Sequence, residues 1–451
     1  MSKWFIRHAW RLALVAGLTA MLGLAVACGD DDDATTGTPT GTGGATTAPA
    51  GDGEVEALIA PFFPQSGRVI LREAIEQGII DKFIFTDGTK SQSMFDEIGV
   101  EPFEGMWGTQ PGAPNDEFAT AFAATGQDPN APYVQEGYDN AYLLALAAAS
   151  ANSTDGTAIR DNLRFVANAP GEPIGIGSEE FARAVGLLAA GEDIDYGGAT
   201  GVLGLDENGD LSAGAIGTWR IVDGLIKFQE ARAVDLAAAA GTEVPSGSQV
   251  RSDTPPTEPL KLGSIMSNTG DLADFGPPIE AAIKMAIEEI NAGGGVFGQD
   301  VILATADDGT LPAQGQSEAT RLIDVEGVHA IIGALSSDVT LAISENVASP
   351  ANVVVISPAS TAASITTAND NDFTYRTPIQ DAAQAEVLAD LADEQGFKTV
   401  CVLYVNTSYG QGLSEAFTKE FEALGGSVAN QVSVEAQQTT YVAELQACVG
   451  G

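Results

Sequence analysis

From residue 258 onwards, the sequence alternates strand-like and helix-like runs, and this alternation limits the folds open to the chain. The first strand-like run, L-K-L-G-S-I-M-S, leads to a helix-like run that begins at two prolines and repeats its apolar residues at helical spacing. Similar strand-like runs recur at V-I-L-A-T-A-D-D, V-H-A-I-I-G, V-V-V-I-S-P and T-V-C-V-L-Y-V, with helix-like runs between them. Because this alternation is typical of parallel doubly wound sheets, we expect an α/β fold.

The segment from residue 54 to residue 232 starts partway through a pattern of the same kind. A strand-like run that ends in F-F-P precedes a helix-like run over 67–77 and a second strand-like run, K-F-I-F-T-D-G. A further helix is expected over 135–149. The run L-G-L-D-E-N-G-D-L-S predicts a β-hairpin, since Asn-Gly suits a tight turn.

The first 28 residues have the pattern of an export signal. Lys3, Arg7 and Arg11 precede an apolar run that is too short for a comfortable membrane span and ends in small residues before Cys28. The run A-V-A-C resembles a lipobox, so we expect Cys28 to be acylated and to hold the exported chain on the outer face of the cell membrane. Cleavage of an ordinary secretory peptide near Ala27 is the alternative.

Two segments have the composition of linkers. Residues 29–53 are rich in Thr, Gly, Ala and Pro and predict a disordered tether, while residues 233–257 gather Pro, Ser and Thr and predict a second linker. The body therefore divides into blocks at 54–232 and 258–451.

The charge and the scarcity of catalytic side chains exclude several function classes. With 62 acidic against 20 basic residues and a net charge of −42, attraction to nucleic acid is excluded. His329 is the one histidine after the signal, and no G-x-S-x-G run is present, so we expect no catalysis, no metal and no cofactor. Asp206, Asn208 and Asp210 resemble the start of a calcium loop, but Leu211 stands where that loop needs glycine.

Cys401 and Cys448 are the cysteines that remain after the signal. An even pair in an exported protein favours a disulfide, and two buried free thiols are the alternative.

Polar residues cluster just after the predicted strands, where doubly wound sheets bind ligands. Ser336 and Ser337 stand at a predicted helix start, where hydroxyls and free backbone N–H groups suit a carboxylate. Ala359 and Thr361 follow the next strand and offer a carbonyl and a hydroxyl to an ammonium group. Asp87 follows K-F-I-F-T and offers that ammonium an anionic partner.

Several runs together resemble the branched-chain amino-acid (Leu/Ile/Val) binding proteins, which are type I periplasmic solute-binding proteins of ABC importers. They are E-E-I-N-A-G-G-G-V-F-G, I-I-G-A-L-S-S, V-I-S-P-A-S-T, L-Y-V-N-T-S-Y-G-Q-G and F-F-P-Q-S-G. The resemblance implies two Rossmann-like lobes that close on an amino-acid-like ligand, a permease partner and a monomer. It also implies that Ser337, Ala359 and Thr361 contact the ligand's α-carboxylate and α-amino groups and that Asp87 replaces a glutamate. The aromatic positions that it implies around the ligand are Phe62, Phe275, Tyr133 and Tyr409.

The two blocks occur in the reverse of the family's order, so we expect a circular permutant, with two fused gene fragments as the alternative. The 25 residues 233–257 span roughly 28 Å as a flexible chain, which suffices to join old termini. We expect one lobe from about 112 to 213 plus 258 to 377, and the other from 54 to 111, 214 to 232 and 378 to 451.

The ligand that the resemblance implies is a neutral aliphatic amino acid, such as a branched-chain one. Asp87 is one methylene shorter than glutamate and Phe62 lacks a hydroxyl common at its position, so amides and small carboxylates stay open. A ligand-sensing receptor component and a non-binding relic of rearrangement are the competing functions.

Overall fold

The computed structural model describes residues 54–201, 203–236 and 244–450. The predicted export signal, Cys28 and the tether at 29–53 lie outside these residues. No helix in the described ranges is long and apolar enough to cross a membrane.

One large sheet has five strands, all from the second block. The strands are β8 (Lys261–Met266), β9 (Ile302–Asp307), β10 (Ala330–Gly333), β11 (Val354–Ser357) and β12 (Thr374–Arg376). Their order is β12-β11-β10-β8-β9, and every neighbouring pair is parallel. Helices α7 (Gly276–Ala292), α8 (Pro312–Arg321) and α9 (Ser337–Ile343) connect successive strands. The predicted α/β fold is therefore confirmed.

The other large sheet has seven strands drawn from both blocks. They are β1 (Ala57–Ala60), β2 (Phe83–Phe85), β3 (Trp107–Pro111), β6 (Ala213–Val222), β7 (Leu225–Asp235), β13 (Thr399–Val405) and β14 (Ser427–Val434). Their order is β14-β13-β1-β2-β3-β6-β7, so β1 lies between a strand of its own block and a strand from the end of the chain. Only β6 and β7 extend the sheet in the antiparallel sense.

Helices cover this sheet too, and each begins soon after a strand. They are α1 (Pro64–Glu76), α2 (Gln92–Ile98), α10 (Asp381–Glu394), α11 (Ser408–Ala423) and α12 (Val442–Val449). Cys448 of α12 forms a disulfide with Cys401 of β13, and their Cα atoms are 5.6 Å apart. The bridge joins a central strand to the last helix of the sequence.

The part of the first block that follows β3 and precedes β6 in the chain packs against the second block. Its elements are α3 (Asp116–Ala123), α4 (Val134–Ala151), α5 (Gly156–Ala167), β4 (Glu172–Ile174), α6 (Ser178–Ala190) and β5 (Ile194–Tyr196). Every residue of α4 is buried, because α5, α6 and α7 all pack on it. Gly137 lies against Ile279 of α7, where a Cβ atom would come within 2.7 Å of that side chain. The two blocks thus share one core.

The described part of the predicted linker at 233–257 is docked on this helical layer. Strand β7 runs to Asp235, and Gln249 and Arg251 donate hydrogen bonds to carbonyls of α4 at 2.9 to 3.3 Å. We expected a flexible linker, but residues 249–252 are held at the ends of buried helices.

Candidate functional site

A small cavity lies where loops at the carboxyl ends of both large sheets meet. It encloses about 300 Å³, including the part open to solvent. The lining residues follow β1, β2, β8, β10, β11 and β13 or precede α4, and they are Phe63, Asp87, Gly88, Tyr133, Leu272, Phe275, Leu335, Ser336, Ser337, Ala359 and Tyr409. Ligands bind at this edge of doubly wound sheets.

Asp87 is the one charged side chain in the lining. It opens a short 3₁₀ turn after β2 and is buried. One carboxylate oxygen accepts hydrogen bonds from Gln384 Nε2 at 2.7 Å and from the Tyr409 hydroxyl at 2.9 Å. The other accepts from the Tyr133 hydroxyl at 2.5 Å. All three donors are neutral, so the carboxylate is held in place without a counter-charge.

Burial raises the pKa of Asp87 and outweighs the hydrogen bonds from Tyr133, Gln384 and Tyr409, which lower it. Asp381, at the start of α10, is also buried. Its pKa is raised to about 8, first by burial and then by the charge of Asp87. Burial therefore penalises the ionised form of both carboxyl groups.

Ser337 and the loop after β11 form the opposite wall. The Ser357 hydroxyl accepts hydrogen bonds from the backbone N–H groups of Ala359 at 3.2 Å and Ser360 at 2.9 Å, which fixes the loop's course. The backbone N–H of Ala362 donates to Ser337 Oγ at 3.4 Å. Ser336, Ser337 and Ala359 of these segments line the cavity together with Asp87.

Thr361 is buried but does not line the cavity. Its carbonyl accepts a hydrogen bond from the backbone N–H of Asp381 at 3.0 Å. The structure thus connects the loop after β11 to the start of α10.

Aromatic rings form the rest of the wall in two pairs. Phe63 stacks on Tyr409 with ring centroids 5.5 Å apart, and Tyr133 meets Phe275 edge-on at 6.4 Å. Tyr133 has a φ of 64°, which is unusual for a bulky residue, and this conformation precedes the first turn of α4. The strained backbone and the hydroxyl bonded to Asp87 occur at the same residue.

Phe62 does not lie where the sequence analysis expected it. Its ring is in the core, within 3.2 Å of the position that a Cβ atom on Gly67 would occupy, and Phe63 lines the cavity instead. The chain turns at Pro61 directly after β1. The alternation of side chains along the strand therefore does not decide which of the two phenylalanines lines the cavity.

Hydrogen bonds connect the two walls beside the cavity. The Ser66 hydroxyl on α1 donates to Asp271, which follows β8, with distances of 2.9 Å to both carboxylate oxygens. The Ser66 backbone N–H adds a third bond at 2.8 Å. Arg68 pairs with Asp274 at 2.9 Å, and this guanidinium, with the hydroxyls of Ser91 and Ser93, holds the pKa of Asp274 low against its burial. Sequence reasoning missed this latch, which joins residues more than two hundred positions apart.

A buried ion pair lies between the hairpin at 206–210 and the last residue of β12. Arg376 Nε is 2.6 Å from Asp210, and both side chains are inaccessible to solvent. The same guanidinium donates to the carbonyls of Ser360 and Ala362 at 3.3 and 2.7 Å. The arginine therefore holds the backbone on either side of Thr361.

Two parts of the chain match families of known proteins. A family described as periplasmic binding protein matches residues 259–449, and one described as receptor family ligand binding region matches residues 53–219. The Leu/Ile/Val-binding protein homolog 3 of Brucella melitensis is 33% identical over 159 residues, covering 35% of this chain and 42% of the relative. A chemotactic signal transduction system substrate-binding protein of Halobacterium salinarum is 32% identical over 174 residues, covering 37% of this chain and 42% of the relative.

Among solved structures, the branched-chain amino acid transporter substrate binding protein LivJ of Streptococcus pneumoniae, in complex with isoleucine, has a TM-score of 0.39. It is 27% identical, and the match covers 43% of this chain and 55% of that one. The leucine binding protein LivK of Thermotoga maritima has a TM-score of 0.38 at 28% identity, covering 42% and 53%.

The chain spans less than half the length of the curated relatives it matches. Matches to ligand-binding families nevertheless extend over residues 53–219 and 259–449. These two segments are therefore similar to ligand-binding regions of the kind found in periplasmic binding proteins, and part of the chain is also similar to Leu/Ile/Val-binding proteins.

Proposed function

We propose that this chain is the extracytoplasmic substrate-binding protein of an ABC importer and that it binds a neutral amino acid between two lobes. The observation that carries the proposal is Asp87, a buried carboxylate with three neutral donors in a cavity that no basic side chain lines. Burial of an unpaired charge is costly, and a ligand ammonium would offset this cost.

The opposite wall supports an amino acid rather than a simple amine. Ser337 offers a hydroxyl and the loop at 359–361 offers backbone groups, so a carboxylate and an ammonium can be bound at the same end of the ligand. Thr361, behind the lining loop, is our proposed further contact of this end.

The aromatic rings favour an apolar ligand side chain. Phe63, Tyr133, Phe275 and Tyr409 leave little polar surface beyond the bonded hydroxyls, which disfavours a charged side chain. A branched-chain amino acid fits this description best. Amides and small carboxylates are the alternatives; a simple amide carries neither charge, and a simple carboxylate lacks the ammonium.

The two lobes are proposed at about 112–213 plus 258–377 and at 54–111, 214–232 and 378–451. Hinge closure on a ligand is a general property of periplasmic binding proteins. The bonds of Ser66 with Asp271 and of Arg68 with Asp274 connect the proposed lobes and would favour the closed form.

Anchoring and strand order complete the proposal. Acylated Cys28 would hold the chain on the membrane through the tether at 29–53, and the permease would receive the closed form. A circular permutation would explain why β1 pairs with β13 from the end of the chain.

Calorimetric titration of the purified mature chain with all neutral amino acids, matched amides and carboxylates tests this function. We expect binding with a preference for aliphatic amino acids, and an affinity that is roughly 10- to 100-fold weaker in Asp87→Asn. Failure of the folded chain to bind any of them would refute the proposal.

Sensing is a second candidate, favoured by the similarity to the chemotactic substrate-binding protein of Halobacterium salinarum. The ligand site would be the same, and the partner would be a signal transducer. Loss of amino-acid uptake on deleting the gene supports import, and loss of chemotaxis with normal uptake supports sensing.

A further inference from the structure

A second pocket lies on the far side of Tyr133, next to the point where the chain leaves β3. Its space of about 570 Å³, including the part open to solvent, is lined by the chain at 110–114, the chain at 129–136 and two residues of β7. Four prolines belong to this lining, at positions 111, 114, 129 and 132. Because proline fixes φ, the pocket walls are largely preformed.

Two charged side chains line this pocket, and neither has a counter-ion in contact. Lys90 is 6% exposed, and Nζ donates to the Asn130 carbonyl at 2.5 Å, which leaves two of its three N–H groups without a described partner. Glu136 is 5% exposed and accepts a hydrogen bond only from its own backbone N–H within the described chain. No ion pair within 4 Å links the two.

The two groups come from different layers of the molecule. Lys90 follows the turn after β2 of the seven-stranded sheet, whereas Glu136 lies in the first turn of α4, which packs on α7 beside the five-stranded sheet. The strand-to-helix connection at 112–114 runs along the same pocket. A bound molecule that touched both groups would bridge elements of the two lobes that we propose above.

We propose that this pocket is a second binding site, for a small zwitterion whose carboxylate pairs with Lys90 and whose ammonium pairs with Glu136. A carboxylate matches the unused donors of a buried ammonium, and an ammonium matches an unpaired buried carboxylate. A singly charged molecule would satisfy only one of the two.

The pKa shifts of Lys90 and Glu136 agree with this pairing. Burial lowers the pKa of Lys90 to about 8, although Asp128 and Glu136 oppose the shift. Burial also raises the pKa of Glu136 to about 8, reinforced by Asp139 and opposed by Lys90. Each charged form is therefore penalised by burial, and a zwitterion would supply the counter-charges that both lack.

Titration with unbranched ω-amino acids of increasing length tests the proposal, with butyrate and n-butylamine as singly charged controls. We expect at least one ω-amino acid to bind Asp87→Asn protein, in which the first cavity has lost its carboxylate. Glu136→Gln and Lys90→Met should each weaken this binding at least about tenfold, since a hydrogen bond to a charged group is lost. Lys419→Met and Glu117→Gln, at exposed positions, should leave it unchanged.

Glu136→Gln keeps the shape of the side chain, so it decides the test if Lys90→Met does not fold. Three results would overturn the proposal: no ω-amino acid binds at millimolar concentration, Glu136→Gln binds as well as the wild type, or Asp87→Asn removes the binding altogether. Failure of the amino-acid site in the first cavity would leave these measurements unaffected, because they are made in the Asp87→Asn background.

Discussion

Asp87 and Asp210 are both buried aspartates near the loop after β11, but their surroundings differ in one respect. Asp210 pairs with Arg376 and also accepts hydrogen bonds from Thr366 and Gln380, each at 2.6 Å. Asp87 receives hydrogen bonds from neutral groups alone. A buried carboxylate that the protein neutralises holds the fold together, whereas one that it leaves uncompensated is suited to a ligand cation.

The largest effect is expected on removing the cation that pairs with Asp210. Arg376→Met leaves Asp210 buried without a counter-charge, and the free energy of unfolding should fall by about 3–5 kcal/mol. Urea denaturation followed by circular dichroism measures this fall. The double variant Arg376→Met/Asp210→Leu should lose less than Arg376→Met, because no unpaired charge remains. A loss under about 1 kcal/mol in the single variant would contradict the structural role.

Asp87→Asn should mainly weaken ligand binding and cost less stability. Ligand affinity should fall by roughly 10- to 100-fold, because a charge-assisted hydrogen bond to the ligand is lost. The unliganded protein should lose less stability than Asp210→Asn does, since removing an uncompensated buried charge also removes its desolvation cost. Calorimetry and urea denaturation of both variants measure the contrast. Equal destabilisation would mean that Asp87 too is structural.

The pH dependence of stability should follow the uncompensated carboxyl groups. The pKa of Asp381 rises from the ordinary 3.8 to about 8, so the folded state keeps a proton that the unfolded state releases. The free energy of unfolding of the unliganded protein should therefore fall as the pH rises through this window. Denaturation from pH 4 to about pH 8 measures the slope.

Asp381→Asn should make this slope shallower, and so should Glu136→Gln, whose pKa is raised to about 8 from 4.5. An unchanged slope in both variants would contradict the assignment. Asp210→Asn is the matched control at a buried carboxylate that already has a cation.

The smallest effect is expected at the hydrogen bonds between Ser66 and Asp271, which form part of the latch. Ser66→Ala removes the hydroxyl that donates to Asp271 but keeps the backbone N–H bond. Affinity should fall only about 2- to 10-fold, because a single side-chain hydrogen bond that favours the closed form is lost. The change should lie in the dissociation rate, which stopped-flow fluorescence measures. A faster association rate with unchanged dissociation would contradict a latch.

Much of the fold follows from local sequence patterns. Apolar runs and helical spacing predicted the strands and helices of the second block, and strand ends directed attention to Asp87, Ser337 and Ala359. One helix start was predicted too late, because α1 begins at Pro64 instead of 67. A proline at the first helical position sets this start, while the apolar periodicity begins only later.

What escaped prediction depends on contacts between distant residues. Gln384 bonds to Asp87 across 297 positions, and no local pattern in its helix indicates this. Asp210 was read only as part of a turn, and its partner Arg376 is 166 positions away. Phe62 and Phe63 are adjacent and chemically identical, so the choice between them depends on the backbone after β1.

The position of β1 in the middle of its sheet has a consequence for how the protein is made. Thr399, the first residue of the strand that completes one side of β1, lies 343 positions after Glu56. Synthesis therefore delivers this central strand early and its neighbour only near the end. Until then β1 has one bare edge, and such an edge in an incomplete chain invites aggregation. Productive folding must wait for residues 399–405, so a polypeptide that ends before them cannot complete its larger sheet.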